Sequence, residues 1–268
     1  MSTSTIPRNM FLRDDRDATL FGRISPDEIA LFADADGTLL DLALRPDEAR
    51  ADRQLVDALD RLYDRLGGAL AIVSGRRIED IDRIFDPLRL PASGVHGAEM
   101  RIARDGPVVD AGAREISQDL LGVVRAMAAN YRGAIVEGKR TAVAVHWRAC
   151  PQAEAEIYDR LLRILQARGE TELAILRGHC VYEIKSADIG KGRAVRRFMD
   201  AAPFAGRRPI FVGDDTTDLD GFAAAQALGG QGFAVSTPMA GADATFASPE
   251  DVRAFVKRLA DKGAQADE

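Results

Sequence analysis

The sequence predicts an α/β fold with a parallel-sheet core, into which a smaller α+β unit is inserted. Two observations predict it. Short apolar runs alternate with amphipathic stretches before residue 97 and again after residue 187, an order typical of parallel strands covered by helices. Between these stretches the pattern changes to hairpins and helices, which is typical of an antiparallel sheet. The 268 residues suffice for one large domain or two modest ones.

The first α/β stretch covers residues 27–97 and follows a polar N-terminal tail, residues 1–26, that lacks periodicity. Its predicted elements are, in order, strand Ile29–Ala33, helix Ala51–Leu66, strand Ala69–Val73 and helix Ile78–Phe85. The first helix is predicted because leucines recur at three- and four-residue spacing. Gly67 and Gly68 end it, and Pro87 ends the second helix.

Residues 98–186 are predicted to form the inserted cap domain, an antiparallel sheet with helices. Its predicted elements are a hairpin turning at Asp105 and Gly106, a helix near Ser117–Asn130, two strands joined around Gly138, a helix from Pro151 to Gly169 and a hairpin turning at Gly178. Proline at a helix start and glycine at its end follow the usual asymmetry of helix termini.

The α/β pattern returns over residues 187–268. The predicted elements are helix Gly192–Asp200, strand Pro209–Val212, helix Leu219–Ala227, strand Gly232–Val235 and helix Glu250–Ala260. Together with residues 27–97 they predict one Rossmann-like core that the cap domain interrupts.

Composition narrows the classes of partner. The formal net charge of −6 argues against nucleic acid and anionic membranes, because both require a basic face. The first residues have no apolar core of a secretory signal, and no apolar run is long enough to span a bilayer. Cys150 and Cys180 lack metal-site spacing, so we expect idle thiols in a reducing cytoplasm. A small-molecule partner and a monomeric chain are favoured.

Three predicted core strands end in small or acidic polar residues. These are, in chain order, Asp34-Ala35-Asp36, Ser74-Gly75-Arg76 and Gly213-Asp214-Asp215, with Asp218 one turn further on. Because the carboxyl ends of parallel strands lie at one edge of a sheet, we expect these side chains to share a crevice. Taken singly, each stretch also suits an ordinary turn or a helix cap.

Several carboxylates in one crevice repel one another, and a hard divalent cation removes that conflict. Mg²⁺ prefers oxygen ligands, often carboxylates together with phosphate oxygens. Asp34 and Asp36 point the same way if the segment is extended. One of them is then placed to attack a substrate while the other moves a proton, since carboxylates are competent nucleophiles for phosphoryl transfer.

The motifs resemble those of the haloacid-dehalogenase-like phosphatases. DADGTLL is similar to the first motif of that superfamily, IVSGR to the second, the Lys191-Gly192 of DIGKG to the third and GDDTTD to the fourth. More narrowly, GVHGAE at 94–99, HWR at 146–148 and VYEIK at 181–185 resemble the trehalose-6-phosphate phosphatases. The resemblance covers nearly the whole chain after the tail.

The resemblance implies a role for each core residue. Asp34 is the implied nucleophile that forms an aspartyl-phosphate, and Asp36 the implied general acid and base. Ser74 is implied to hydrogen-bond a phosphoryl oxygen, and Lys191 to neutralise charge on the phosphoryl group and Asp34. The implied Mg²⁺ ligands are Asp34, Asp36 through its carbonyl, and Asp214, with Asp215 and Asp218 either binding the ion or orienting its ligands.

The cap is implied to shut the site from water and to supply specificity. The predicted substrate-binding residues are Gly75, Arg76, His96, Glu99, Lys139, His146, Arg148, Glu183 and Lys185. Strand alternation places His146 with Arg148, and Glu183 with Lys185, on common faces. The alternative for each cap residue is a solvated strand face or a cross-strand ion pair.

The implied activity is Mg²⁺-dependent hydrolysis of trehalose 6-phosphate in trehalose biosynthesis. The alternatives are hydrolysis of another sugar phosphate, such as sucrose 6-phosphate or a mannosyl-glycerate phosphate, and a sugar-phosphate-binding regulator without catalysis. One departure from the family pattern is visible. Its fourth motif usually continues with Glu after the final Asp, whereas here Leu219 follows and Asp220 comes next.

Overall fold

The computed structural model of the chain consists of two units, one of them inserted in the other's sequence. The described residues are 11–12, 25–42, 49–112, 115–178, 180–187 and 189–261. The larger unit comprises Met1–Ala111 and Gly190–Glu268, and the smaller unit comprises Gly112–Ile189. Among the helices of the described residues, none has both the length and the apolar character that crossing a bilayer requires.

The larger unit is an α/β sandwich of helices and a mostly parallel sheet. Its strands are β1 (Phe11–Leu12), β2 (Ile29–Ala33), β3 (Leu70–Val73), β4 (Ala92–Gly94), β5 (Glu99–Arg101), β6 (Val109–Asp110), β11 (Arg208–Gly213), β12 (Gln231–Val235) and β13 (Ala244–Phe246). Its helices are α1 (Arg53–Arg65), α2 (Ile78–Ile84), α5 (Lys191–Met199), α6 (Leu219–Ala227) and α7 (Pro249–Asp261). The predicted α/β class is confirmed.

The large sheet has the strand order β1-β13-β12-β11-β2-β3-β4-β5-β6 over the described residues. The pairs from β1 to β4 are parallel, and β5 and β6 add an antiparallel edge. The central strands are fully buried apolar runs because helices cover both faces of a parallel sheet.

The sequence interpretation and the structure differ at the edge of this sheet. The prediction began the cap domain at residue 98, whereas β5 and β6 pair next to β4 and belong to the larger unit. Asp105 and Gly106 also do not form a two-residue hairpin turn, since residues 102–108 separate the two strands. The short strands β4 and β13 were not predicted, because three residues carry too little periodicity.

The N-terminal tail contributes one short strand to the sheet. Phe11 and Leu12 pair in parallel with Thr245 and Phe246 of β13. The tail otherwise lies outside the described residues, apart from Ser25 and Pro26 at the start of a 3₁₀ turn.

The smaller unit is an antiparallel sheet with two helices. Its elements are α3 (Gln118–Ala128), β7 (Ile135–Gly138), β8 (Ala142–His146), α4 (Glu154–Ala167), β9 (Leu173–Gly178) and β10 (Val181–Ser186), and the strand order is β7-β8-β10-β9. Val143, Val145, Tyr182 and Ile184 pack with apolar residues of both helices. The alternate residues of β8 and β10 therefore form the other face of the sheet.

Candidate active site

The candidate site lies at the carboxyl edge of three neighbouring strands, β11, β2 and β3. Asp34 follows β2, Ser74 follows β3 and Asp214 follows β11. The chain passes from β2 to β3 on one side and later returns to β11 on the other, which makes this edge a topological switch point. The Asp34 amide donates to the Val212 carbonyl at 2.9 Å, so the end of β2 is fixed to β11.

The turn after β2 brings this segment against Asp214. The amides of Leu39 and Leu40 both donate to the Ala35 carbonyl, at 3.0 and 2.9 Å, which closes the turn. Gly37 has φ +72°, and a Cβ there would overlap the Asp214 carboxylate. The Thr38 hydroxyl donates to Asp214 Oδ1 at 3.3 Å. The sequence D-x-D-G-T therefore needs glycine both for its backbone and for its contact with β11.

Lys191 holds the two most buried carboxylates of the site. Its Nζ lies 2.9 Å from Asp34 Oδ1 and 2.5 Å from Asp218 Oδ1. All three residues are buried, with 3%, 5% and 0% exposure for Lys191, Asp34 and Asp218. Lys191 thus meets the requirement that a buried charge be paired, and its ammonium is in contact with the predicted nucleophile.

Aromatic packing fixes the helix that begins with Lys191. Phe198, near the end of α5, lies 5.7 Å from Phe32 of β2 and 4.9 Å from Phe204 between ring centroids. All three rings are fully buried. Because β2 also leads into Asp34, the same packing sets the position of the nucleophile and of the lysine.

Asp218 connects Lys191 to the backbone that follows β11. Its Oδ1 accepts from Lys191, and its Oδ2 accepts the amides of Asp214 and Asp215 at 3.0 and 2.9 Å. Asp215 is exposed, and its carboxylate accepts from the Thr216 amide at 2.6 Å. It therefore caps the 3₁₀ turn after β11 and does not join the buried cluster.

Three carboxylates of the site form a donor set suited to a divalent cation. Carboxylate oxygens of Asp34, Asp214 and Asp218 all lie within 4.8 Å of one another. Asp218 already accepts three hydrogen bonds, so Asp34 and Asp214 have more lone pairs left for an ion. An oxygen-only set of this charge fits hard ions such as Mg²⁺.

Electrostatics at the cluster show a surplus of negative charge. Burial raises the pKa of Asp34 to about 8, with the Asp218 charge adding to it and Lys191 opposing it. Burial and then Asp218 raise the pKa of Asp214 to about 6. Burial lowers the pKa of Lys191, but Asp34 and Asp218 outweigh it and the net shift is upward. Three carboxylates thus share one ammonium, and a bound cation would relieve the imbalance.

Asp36 is held by Arg76 in a two-point ion pair. Arg76 Nε donates to Asp36 Oδ2 at 2.6 Å, and its terminal nitrogen donates to Oδ1 at 2.7 Å. The pair is partly buried, with side-chain exposures of 14% for Arg76 and 30% for Asp36. The predicted substrate-binding arginine therefore contacts the predicted general acid and base directly.

Residues 94–99 pack against the Ser74-Gly75-Arg76 segment. The His96 amide donates to the Ser74 carbonyl at 3.1 Å, and its ring lies where a Cβ on Gly75 would be. Val95 and His96 both have positive φ, 48° and 53°, a strained conformation for non-glycine residues. Ser74 is 2% exposed, and its hydroxyl accepts from the Arg76 amide at 3.3 Å. Ser74, Gly75 and His96 thus form one packed group.

Glu99 supports this group from the following strand. Its Oε2 accepts the Ile78 amide at 2.9 Å at the start of α2, and its Oε1 lies 3.8 Å from Arg77 Nε. The structure therefore gives Glu99 a helix-capping contact beside the segment where substrate contact was predicted.

The smaller unit carries four of its five predicted residues at one sheet face. Glu183 pairs with Ala144 across β8 and β10, and Ala144 pairs with Glu137 of β7, so the three share a face. Lys139 Nζ lies 3.0 Å from Glu183 Oε1, and His146 Nε2 lies 3.2 Å from Glu137 Oε2. We call Glu137, Lys139, His146, Glu183 and Lys185 the polar face.

Arg148 departs from the prediction that it shares a strand face with His146. Strand β8 ends at His146, and Arg148 is an exposed residue of the turn that follows. Strand alternation does not apply beyond the end of a strand. Lys185, in contrast, lies on β10 on the same face as Glu183.

Three contacting residues were missed in the sequence. Thr38 reaches Asp214, Glu137 reaches His146, and Asp220 reaches the helix that carries Lys191. Alternation along β7 gave a signal for Glu137, and the departure at Leu219 drew attention to Asp220 without showing its contact. Thr38 had no signal beyond its place in the turn.

The amino-acid sequence is similar to those of known proteins over most of its length. The family described as Trehalose-phosphatase matches residues 32–249 of the chain. A probable trehalose-phosphate phosphatase of Sinorhizobium fredii is 39% identical over 236 residues, covering 87% of this chain and 88% of its own. A trehalose-6-phosphate phosphatase of Escherichia coli is 38% identical over 234 residues, covering 86% of each chain.

The fold is similar to that of solved structures. A trehalose-6-phosphate phosphatase of Aspergillus fumigatus superposes with a TM-score of 0.73 over 95% of this chain and 100% of its own. The sequence identity of this pair is 21%, so the likeness is one of architecture.

Proposed function

The chain belongs to the trehalose-phosphatase family, and on that premise we propose that it hydrolyses trehalose 6-phosphate to trehalose and phosphate in trehalose biosynthesis. The enzyme class, a phosphoric monoester hydrolase, is common to its named relatives. The proposed mechanism rests on one contact. Lys191 Nζ lies 2.9 Å from Asp34 Oδ1, beside the Asp214 carboxylate.

In the first step, an Asp34 carboxylate oxygen attacks phosphorus and forms an aspartyl-phosphate. The bond from phosphorus to the sugar oxygen breaks, and the leaving oxygen takes a proton from Asp36. Lys191 stabilises the charge of the transferring group, since positioning and charge stabilisation supply most of the catalysis of phosphoryl transfer. The Ser74 hydroxyl donates to a phosphoryl oxygen.

In the second step, Asp36 accepts a proton from water as that water attacks the aspartyl-phosphate. The bond from phosphorus to the Asp34 oxygen breaks, phosphate leaves and Asp34 is restored. The ion pair of Asp36 with Arg76 suggests how the cycle begins. A phosphate dianion attracts the same guanidinium as a carboxylate does, so the incoming substrate draws Arg76 away, and Asp36 takes from solvent the proton that it gives to the leaving oxygen in the first step.

The residues present fit a bound Mg²⁺. The carboxylates of Asp34 and Asp214 and the backbone carbonyl of Asp36 would hold it, with Asp218 orienting the Asp214 backbone. When bound, the ion supplies neutralising charge for the phosphoryl oxygens and for the surplus carboxylates.

Sugar recognition is assigned to the polar face of the smaller unit. Glutamate accepts hydrogen bonds and lysine donates them, so the Lys139–Glu183 pair suits a molecule rich in hydroxyl groups. The proposal places the reaction in the cytoplasm, where thiols such as those of Cys150 and Cys180 stay reduced. A monomer remains our prediction.

The test is phosphate release from a substrate panel, measured with Mg²⁺ and with excess chelator. The panel contains trehalose 6-phosphate, sucrose 6-phosphate, mannosyl-glycerate phosphate and p-nitrophenyl phosphate. We expect the highest kcat/KM for trehalose 6-phosphate and no activity in chelator. A higher kcat/KM for another sugar phosphate would replace the substrate assignment, and activity in chelator would contradict the metal role. Binding without any phosphate release would favour the regulator.

A further inference from the structure

The glycines on either side of Lys191 are pressed against one acidic side chain. A Cβ on Gly190 or on Gly192 would overlap the carboxylate of Asp220. The Gly192 amide donates to Asp220 Oδ2 at 2.8 Å. Glycine at both positions lets the carboxylate approach the backbone on each side of Lys191.

This contact completes a helix end that lacks its own cap. Gly190 is the residue before α5, and having no side chain it makes no capping hydrogen bond. A capping side chain ordinarily accepts from the second or third helical amide, and Gly192 is the second residue of α5. Asp220, from the first turn of α6, supplies that acceptor from another helix, and its negative charge suits a helix N-terminus.

Lys191 is thereby held at both of its ends from one short segment. Asp218 accepts from the Lys191 ammonium, and Asp220, two residues later, accepts from the backbone next to the Lys191 Cα. The same ammonium contacts Asp34. A shift of the first turn of α5 would therefore move the ammonium relative to the nucleophile.

We propose that Asp220 is a positioning residue for phosphoryl transfer, whose carboxylate fixes the first turn of α5 and so sets the place of the Lys191 ammonium at Asp34. The inference rests on the role of Lys191 in the proposed function. Misplacement of a reacting group by about 1 Å costs on the order of 100-fold in rate, so loss of this contact lowers kcat more than it changes KM.

The test compares Asp220→Ala with a matched cap variant elsewhere. Asp52 accepts the Leu55 amide at 2.7 Å at the start of α1, which carries no residue of the site. We expect both alanine variants to lose similar thermal stability, because each loses one hydrogen bond that caps a helix. Only Asp220→Ala should lose kcat on p-nitrophenyl phosphate, by about 10- to 100-fold with a KM change below about twofold. Wild-type kcat in a folded Asp220→Ala would overturn the proposal.

Two further variants decide the case if Asp220→Ala does not fold. Asp220→Asn keeps an oxygen acceptor and should retain kcat within about threefold, whereas Asp220→Glu keeps the charge but does not fit between the two glycines and should lose it. Equal kcat for Asn and Glu would overturn the proposal. Lys191→Met separates the proposed role of Lys191 from the proposed role of Asp220. If it retains wild-type kcat, the proposed role of Lys191 fails; if it loses kcat while the Asp220 variants do not, only the present inference fails.

Discussion

The buried cluster of the larger unit and the polar face of the smaller unit both consist of charged side chains, but they are built differently. Lys191, Asp34 and Asp218 are at most 5% exposed, and each makes more than one polar contact. The Lys139–Glu183 pair joins a partly exposed lysine to a buried glutamate, and both side chains of the His146–Glu137 pair are exposed.

The difference matches what each region is proposed to do. A group that takes part in phosphoryl transfer must stay within a fraction of an ångström of its place, which burial and multiple contacts ensure. A face that recognises hydroxyl groups must first release water and then rearrange around the sugar, so ion pairs with an exposed partner suit it. Substitutions in the buried cluster should therefore affect turnover of every substrate. Substitutions in the polar face should affect turnover of one class of substrate.

The largest expected effect is that of Asp34→Asn. An amide is a poor nucleophile, so phosphate release should fall by about 1000-fold or more on every substrate. The fold should persist, because asparagine has nearly the same shape and removes a surplus buried charge. The measurement is turnover at saturating substrate beside a thermal melt. A folded variant with near wild-type turnover would refute the nucleophile assignment.

The next effect is that of Gly37→Ala, which tests the fit of the turn to Asp214. Positive φ makes alanine unfavourable there by about 1 kcal/mol, and its Cβ also overlaps the Asp214 carboxylate. We expect a loss of about 100-fold in kcat and a higher Mg²⁺ requirement.

Gly206→Ala is the matched control, since Gly206 has φ +79° and nothing within 4 Å of an added Cβ. It should lose stability in a thermal melt from the positive φ alone and keep wild-type activity. Equal kcat values and equal Mg²⁺ requirements for the two variants would show that the Gly37–Asp214 contact does not contribute to catalysis.

A smaller effect is expected of Glu183→Ala on the polar face. Loss of hydrogen bonds to the sugar should raise KM for trehalose 6-phosphate about tenfold, equivalent to about 1.4 kcal/mol. Activity on p-nitrophenyl phosphate should stay within about twofold of wild type. Glu156→Ala is the control in the same unit, because Glu156 lies on α4, outside the polar face, and interacts there with Arg160 and Tyr131. A parallel loss on both substrates would assign Glu183 to structure instead of recognition.

The smallest effect is a pH dependence of stability in chelator. The folded-state pKa of Asp34, about 8, exceeds its ordinary value of 3.8, so the folded protein binds this proton more tightly than the unfolded chain. The resulting stabilisation is fully present below about pH 4 and is lost as the pH rises through about 8. Asp34→Asn lacks this titration. Between about pH 5 and 8, its melting temperature should rise by a few degrees relative to that of the wild type. Parallel plots of melting temperature against pH for the two proteins would contradict a buried surplus charge.

The sequence predicted those parts of the fold that local pattern determines. The leucine spacing of α1 and the apolar run of β2 predicted a helix and a strand that the structure contains. The strand ends at Asp34 and Asp214 were predicted to meet because parallel strands share a carboxyl edge, and they do. Periodicity and topology were enough for these features.

Features set by contacts between distant segments were not predictable in this way. Strands β5 and β6 were assigned to the inserted domain because a short hairpin does not reveal which sheet it joins. The contact of Glu99 with the amide at the start of α2 also joins segments that are distant in the sequence. The roles of Thr38 and Asp220 depend on which side chain folding brings within reach, which spacing along the chain does not record.

Trapping the reaction on Asp34 tests whether this residue is the nucleophile. The enzyme is mixed with trehalose 6-phosphate and Mg²⁺, quenched in acid within the first turnovers, digested and analysed by mass spectrometry. We expect a phosphoryl group on the peptide that contains Asp34, less of it in Lys191→Met and none in Asp34→Asn. Rapid turnover with no phosphoryl group on that peptide, or with the group on another residue, would contradict it.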